Sequence, residues 1–178
     1  MFNFFHVILF LYSYFMRDGQ KIFHQCVSGY TDAAILGDNV TIAEIDTVIG
    51  AVFEEIIADL YRHSEGCIVK ETPDSHDYGA DVVVLYEDGK RGLLLQCKHK
   101  DNPSNSVDSK GVQEVFASVN YYKDLEDYKG VDFKTAVITN AVDYTSNAKK
   151  IAERNGVCLI AREELKEMLE AHPLPNLY

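Results

Sequence analysis

Three polar residues stand at the ends of two apolar runs, where a buried strand would ordinarily carry apolar side chains. Asp81 precedes the run 82–85, and Gln96 and Lys98 follow the run 93–95. A carboxylate and an amide carbonyl are hard oxygen ligands that suit Mg²⁺ or Mn²⁺. An adjacent ammonium can stabilise charge on a phosphate or help to orient an attacking water. These residue types fit metal-assisted phosphodiester hydrolysis, provided that the fold brings them together.

A β-hairpin would bring the three residues together. Asp88 and Gly89 lie between the two runs, and this dipeptide favours a two-residue type I′ turn because both positions tolerate positive φ. Such a turn places Asp81 opposite Gln96, with Lys98 on the same face two residues further along. The three side chains would then lie roughly 5 to 8 Å apart. The alternative is an edge hairpin whose polar end is simply solvated.

Segments on both sides of this hairpin resemble the Mrr-like restriction endonuclease branch of the PD-(D/E)xK nuclease superfamily. In this branch a glutamine replaces the second acidic residue, so that the signature reads as an aspartate, a hairpin and then QxK. Here Ala80 stands where the superfamily often has proline. The matching segments are GAVFEEIIADLY at 50–61, TPDSHDYGADVVV at 72–84, LLLQCKHK at 93–100 and VITNAVDYTSNAKKIAERNGVCLIAREEL at 137–165.

The resemblance implies a fold, an activity and a set of roles. The fold is α/β, a restriction-endonuclease-like mixed central β-sheet flanked by helices, and the activity is that of a Mg²⁺-dependent endodeoxyribonuclease in which Mn²⁺ can substitute. Asp81 and the Gln96 amide oxygen would be metal ligands, joined by the Cys97 main-chain carbonyl. Lys98 would activate water or stabilise the transition state. Glu54 would be an auxiliary acid, whereas the residue pattern alone favours a solvent-facing charge at that position.

Two other functions remain open at this point. One is a structure-selective nuclease that resembles Holliday-junction resolvases. The other, from a different class, is a catalytically silent nucleic-acid-binding module that keeps the fold without turnover. The presence of both Asp81 and Lys98 argues against the silent module. His76 and Asp77 also invite a catalytic interpretation, but their loop of Pro, Ser and Gly favours local backbone hydrogen bonds instead.

The rest of the chain alternates helical and extended patterns. Thr41 and Glu44 form a capping box that opens a helix expected to run to about His63. Ser109 can cap a later helix, on which Gln113 is either an exposed residue or one that faces the site. Lys100 and Lys110 are further candidates for nucleic-acid contact. The other expected elements are a strand at 67–70, an apolar helix face formed by Val112, Val115, Phe116 and Val119, a strand at 135–139, a helix at 146–155 capped by Thr145, a strand at 157–160 and a helix at 163–171.

Composition limits the classes of protein to which the chain can belong. With 178 residues, 47% of them hydrophobic, the chain is long enough for one domain with a substantial core. Its four cysteines are far apart, which indicates reduced thiols of a cytoplasmic protein rather than a zinc site or a disulfide framework. We expect no small-molecule cofactor. A net charge of −11 is unfavourable for binding DNA, a polyanion, so we expect weak binding without a metal ion.

The N-terminal segment 1–16 is strongly apolar and aromatic. It is shorter than the roughly 20 residues that a spanning helix needs, and it lacks a basic start and a cleavage site. We therefore divide the chain into an extension at 1–40, which would form a packing or oligomer contact, and a nuclease domain at 41–178. A membrane-associated or signal-anchor segment and a mis-assigned start of the chain are the alternatives. We expect DNA to be the partner. Because cutting both DNA strands calls for two active sites, we also expect the chain to form a homodimer.

Overall fold

A single mixed sheet organises the residues that the computed structural model describes, which are 39–63, 67–71 and 78–175. The first three strands pair antiparallel with one another, and the last two are added in parallel. The predicted mixed central sheet is therefore confirmed. In spatial order, which is also chain order, the strands are β1 (Cys67–Glu71), β2 (Val82–Tyr86), β3 (Arg91–Cys97), β4 (Asp132–Ile138) and β5 (Val157–Ile160).

Helices cover both faces of this sheet. One face packs against the helices Gly50–Arg62 and Arg162–Ala171, and the opposite face packs against the helices Lys110–Asp124 and Ser146–Asn155. Burial on both faces explains why the residues of β2 and β3 form nearly continuous apolar runs. None of the helices in these described stretches is long and apolar enough to cross a bilayer. The helices are α1 (Ile42–Ile45), α2 (Gly50–Arg62), α3 (Lys110–Asp124), α4 (Ser146–Asn155) and α5 (Arg162–Ala171), with a 3₁₀ turn at Glu126–Tyr128.

The β2–β3 hairpin has the predicted register but not the predicted turn. Val84 pairs with Leu93, and Val83 with Leu94. A four-residue loop, 87–90, connects the strands, and only Gly89 of the Asp88-Gly89 pair adopts positive φ. The Asp88 carboxylate instead accepts hydrogen bonds from the backbone N–H groups of Lys90 and Arg91, at 2.9 and 3.0 Å. A four-residue loop has the same centre as a two-residue turn, so the strand pairing is unchanged.

The helix predicted from Thr41 to His63 is two helices. The capping box is confirmed, because Thr41 N–H donates to Glu44 Oε2 at 2.8 Å and Glu44 N–H donates to Thr41 Oγ1 at 3.3 Å. However, α1 ends at Ile45, and α2 begins only at Gly50. The break covers residues 46–49: Asp46, the C-cap of α1, keeps αR backbone angles, and the backbone of Ile49, the N-cap of α2, is extended. The Asp46 carboxylate pairs with Arg162 on α5. The periodic pattern could not show this contact.

Asp46 belongs to a polar network that joins α1, the end of β4 and α5. Its two carboxylate oxygens accept hydrogen bonds from the Arg162 guanidinium, each at 2.7 Å. Asn140, which is fully buried, donates to Asp46 at 3.1 Å and accepts from Arg162 through its carbonyl at 3.0 Å. The hydrogen bond from Arg162 is the main reason why the pKa of Asp46 lies below its usual value.

Helix α3 differs from its prediction in two details. Ser109 occupies the N-cap position but makes no side-chain capping hydrogen bond to the helix, and its hydroxyl accepts from Asn147 instead. Phe116, placed in the apolar face by the pattern, is 47% exposed, whereas Val112 and Val115 are buried as expected. The buried strip of α3 is completed by Gly111, Ser118 and Tyr122.

The C-terminal half follows its prediction closely. Helix α4 has the predicted bounds, with the Thr145 side chain accepting from Ala148 N–H and with Gly156 at its end. Strand β5 also has the predicted bounds. Strand β4 begins three residues earlier than predicted and ends one residue earlier, at Ile138. Its parallel pairing with β5 was expected from the strand, helix, strand order.

We expect Arg162→Met to lower the free energy of unfolding by about 1–3 kcal/mol at pH 7, because it leaves the half-buried Asp46 carboxylate without its bidentate partner. Since the pKa of Asp46 is lowered in the folded state, this contribution is present above about pH 4 and is lost as the pH falls through the folded-state pKa. Urea denaturation at pH 7 and at pH 3 measures it. Arg154→Met, on an exposed position of α4, is the matched control, and an equal loss in both variants would contradict the prediction.

Candidate active site

Asp81 and Gln96 form a buried hydrogen-bonded pair at one edge of the sheet. Gln96 Nε2 donates to Asp81 Oδ2 at 2.5 Å, and the Cys97 backbone N–H donates to the same oxygen at 2.6 Å. Asp81 N–H in turn donates to the Leu95 carbonyl at 2.8 Å, which continues the β2–β3 ladder beyond the strand. Asp81 is only 8% exposed and Gln96 only 3%. The alternative of a solvated polar end therefore does not hold.

The orientation of the Gln96 amide follows from its partner. An ionised carboxylate only accepts hydrogen bonds, so the amide nitrogen must face Asp81 and the amide oxygen must face away. That oxygen, Oε1, is buried and has no hydrogen-bond partner within the described part of the chain. Because a buried acceptor without a partner is costly, and because an amide oxygen is a suitable ligand for a hard cation, these residues fit a divalent metal ion.

Lys98 lies beside this pair and contacts helix α3. Its Nζ is 3.0 Å from Glu114 Oε2, and Lys110 Nζ is 3.6 Å from the other carboxylate oxygen of Glu114. Gly111 explains how the helix approaches so closely: a Cβ at this position would lie 2.8 Å from Lys98 Cε and 3.5 Å from Gln96 Cγ. The first turn of α3 is therefore one wall of the site.

The backbone that follows β3 is held by the last residue of β4 and by the residues after it. Lys98 N–H donates to the Ile138 carbonyl at 2.9 Å, and the Thr139 hydroxyl donates to the Lys98 carbonyl. The Asn140 side chain then bonds both the N–H and the carbonyl of Lys100, at 2.8 and 2.9 Å. These bonds extend the β3–β4 pairing past Cys97, so that they hold the backbone of Lys98 in place.

Glu54 and Cys97 are the other two residues for which a role in catalysis or metal binding was predicted. Glu54 is half-buried on α2, and its charge acts on the Cys97 thiol. Burial, followed by the negative charges of Asp81 and Glu54, raises the pKa of that thiol. The thiol therefore stays neutral, which leaves main-chain groups as the polar contribution of Cys97. The metal role predicted for its carbonyl stays a prediction.

The residues proposed for DNA contact are spread around the site. Lys110 is largely exposed at the start of α3, and Lys100 is half-buried. Gln113 is exposed, and it is its neighbour Glu114 that contacts Lys98. His76 and Asp77 lie outside the described residues, as do the segments 1–38 on which the oligomer and membrane interpretations depend.

Sequence reasoning missed Glu114. Its signal was available in the helical periodicity, because position 114 lies one turn from both Gly111 and Ser118, which are buried. Because Phe116 was assigned to the buried face of α3, the predicted buried face did not include position 114. The described residues hold no cluster of three or more His, Cys, Asp or Glu side chains suited to a metal ion. An acid paired with an amide, as in Asp81 and Gln96, is not such a cluster.

The sequence profile of the Mrr catalytic domain, described as a restriction endonuclease, matches residues 45–169. The chain belongs to this Mrr-like restriction endonuclease family. The match includes all the elements from α2 to β5 and nearly all of α5, so the hairpin with Asp81, Gln96 and Lys98 lies within the family's domain. No curated protein matches the chain.

Three solved structures are similar to this Mrr-like chain over part of its length. A repair endonuclease from Pyrococcus abyssi has 21% sequence identity and a TM-score of 0.44, over 64% of this chain and 46% of that one. EndoMS in its apo form has 16% identity and a TM-score of 0.41, over 64% and 46% of the two chains. An EndoMS complex with dsDNA has 19% identity and a TM-score of 0.40, over 68% and 45%. The chain thus spans less than half the length of these proteins.

Proposed function

We propose that this chain is a metal-dependent DNA endonuclease of the Mrr-like restriction type, which hydrolyses phosphodiester bonds with Mg²⁺ and accepts Mn²⁺ in its place. The observation that carries the proposal is the buried Asp81–Gln96 pair, in which Gln96 Oε1 has no hydrogen-bond partner among the described residues. A buried acceptor without a hydrogen bond costs stability, and a bound ligand would remove that cost. Membership of a restriction endonuclease family supports the reaction type.

Asp81 and the Gln96 amide oxygen would hold the metal ion, together with the Cys97 carbonyl. When bound, the ion would supply Lewis-acid stabilisation of charge on the phosphate. The hydrogen bonds from Gln96 Nε2 and Cys97 N–H to Asp81 Oδ2 fix the direction of the carboxylate, so that little reorganisation is needed on binding. Burial of the pair keeps bulk water away from these two side chains.

Lys98 would act on the reacting groups through its ammonium. Its backbone is held by Ile138 and Thr139 and its side chain by Gly111 and Glu114. A lysine fixed in this way stabilises the charge that develops on the phosphate or orients the attacking water. Glu54 would be an auxiliary acid on α2, from which its charge acts on Cys97.

The DNA partner is part of the same proposal. The chain carries a net charge of −11, so repulsion from the phosphates would make binding weak until a divalent cation offsets the carboxylate charge. Lys98, Lys100 and Lys110 would provide local positive charge around the site. A twofold homodimer would supply the two sites that are needed to cut both strands.

We expect Mg²⁺ or Mn²⁺ to support nicking of supercoiled plasmid DNA, and Ca²⁺ to support binding with little or no turnover. Ca²⁺ accepts longer and looser coordination and is a poorer activator of bound water. Gel assays of supercoiled, linear, methylated and branched DNA in each metal ion measure cleavage, and fluorescence anisotropy in Ca²⁺ or EDTA measures affinity.

Each result of these assays has a defined meaning. Equal cleavage rates in EDTA and in Mg²⁺ would contradict the metal-dependent mechanism. Cleavage confined to branched DNA would instead favour a structure-selective nuclease similar to Holliday-junction resolvases. Binding without turnover in any metal ion would favour a catalytically silent nucleic-acid-binding module.

A further inference from the structure

We infer that Glu114 is a positioning residue for the proposed reaction, which acts through Lys98 by holding its ammonium beside the Asp81–Gln96 pair. The inference rests on the proposed function, in which Lys98 contacts the reacting groups. The decisive observation is the 3.0 Å contact between Lys98 Nζ and Glu114 Oε2. Nothing in the hairpin motif itself specifies this partner, which is supplied by a separate helix.

Two glycines fix Glu114 relative to the hairpin. Gly79, two residues before Asp81, approaches the Glu114 backbone so closely that a Cβ would lie 2.5 Å from the Glu114 carbonyl oxygen. Gly111, one turn earlier on α3, leaves room for the aliphatic stem of Lys98. The helix is therefore locked against both strands of the hairpin, and the Glu114 carboxylate has a defined place from which to direct Lys98.

The ion pair is better suited to orientation than to stability. Lys98 and Glu114 side chains are 30% and 32% exposed, and pairs with this much solvent contact contribute little to folding. A long lysine side chain nevertheless has many rotamers, and restricting them before the substrate arrives removes an entropic cost from the reaction. Glu114 also contacts the Lys110 ammonium at 3.6 Å, which keeps its own side chain in place.

The location of Glu114 predicts that its removal has two opposite effects, one on DNA binding and one on cleavage. A carboxylate near a DNA-cutting site repels the phosphate backbone, so that its removal should strengthen DNA binding. Removal should also slow cleavage, because Lys98 would lose its orientation. Tighter binding with slower turnover is not expected from a residue whose role is only structural.

The test compares Glu114→Gln with the wild-type protein in Mg²⁺. We expect kcat to fall by about 10-fold to 100-fold, while KM and the Kd for DNA in Ca²⁺ decrease. Glu114→Asp keeps the charge but is one methylene shorter, and it should recover part of the rate. Glu126→Gln, which breaks an exposed Glu126–Lys129 pair of 3.4 Å, is the matched control and should leave kcat unchanged.

A double-mutant cycle connects the effect to Lys98. In a Lys98→Met background, Glu114→Gln should produce no further loss of kcat, because the group that it positions is absent. A kcat for Glu114→Gln that equals or exceeds the wild-type value would overturn the inference. So would a full additional loss in the Lys98→Met background.

A measurement that does not depend on cleavage separates this inference from the proposed function. Acylation of lysines followed by mass spectrometry reports how accessible each amine is. Loss of the Glu114 carboxylate should raise the labelling rate of Lys98 several-fold while that of Lys149, paired with Asp143 at 2.7 Å, stays constant. If the wild-type protein cleaves no DNA, the proposed function fails, and an unchanged Lys98 labelling rate would overturn the positioning role independently.

Discussion

Lys98→Met and Asp81→Asn are each expected to lower DNA cleavage in Mg²⁺ by at least about 100-fold. Lys98→Met keeps an aliphatic stem against Gly111 but removes the ammonium, so the structure of the site should persist without its positive charge. Asp81→Asn removes the negative charge that would hold the metal ion. Since one Asp81 oxygen accepts two hydrogen bonds, this variant should also lose about 1–3 kcal/mol of stability.

The two variants need separate controls because their costs differ. Lys166→Met removes a lysine on α5 that pairs with Glu170 at 3.9 Å, and it should cleave DNA at the wild-type rate. For Asp81→Asn, circular dichroism and a urea titration at the assay temperature establish how much of the protein is folded. Wild-type cleavage by either Asp81→Asn or Lys98→Met would reject the site assigned to these residues.

Gly79→Ala is expected to lower the free energy of unfolding by about 2–4 kcal/mol, from strain in the left-handed region and from overpacking. Gly79 has a φ of 92°, and a Cβ there would lie 2.5 Å from the Glu114 carbonyl oxygen and 2.9 Å from its carbonyl carbon. These are backbone atoms of a packed helix, so they cannot move aside as the end of a flexible side chain can. The change should also disturb α3 next to the site.

Gly89→Ala is the matched control for this prediction. Gly89 also has a positive φ, of 61°, but a Cβ there would meet nothing within 4 Å. It should therefore cost only the conformational term of about 1 kcal/mol. Chemical denaturation of both variants measures the difference, and equal losses would show that the contact between Gly79 and α3 does not constrain the fold.

The sequence alone determined the register of the hairpin and, with it, the Asp81–Gln96 pair. The register follows from a two-residue periodicity and from the position of the loop centre, both of which are local properties. The type of turn is a different matter. Loops of two and four residues share a centre, and the Asp88 side chain stabilises the longer one with hydrogen bonds to the backbone, so the apolar pattern could not distinguish them.

Tertiary contacts decided where the first helical region breaks. The apolar repeat from Ile42 onward predicts one continuous helix, because periodicity reports only which side of a helix faces the core. The chain leaves the helix between Asp46, which is still in the αR region, and the extended Ile49, and Asp46 pairs there with Arg162, 116 residues away in the chain, a contact that no local pattern contains. In contrast, α4 and its boundaries were predictable, since Thr145 and Gly156 are end signals within the sequence itself.

The same distinction applies within the site. Residue types and strand register were sufficient to place Asp81, Gln96 and Lys98 together, because all three belong to one hairpin. The partner of Lys98 lies on α3, and the choice of Glu114 rather than Gln113 depends on the rotation of that helix about its axis. This rotation is determined by the close approach of Gly111 to Lys98 and of Gly79 to the Glu114 backbone, contacts that exist only once the helix has packed on the sheet.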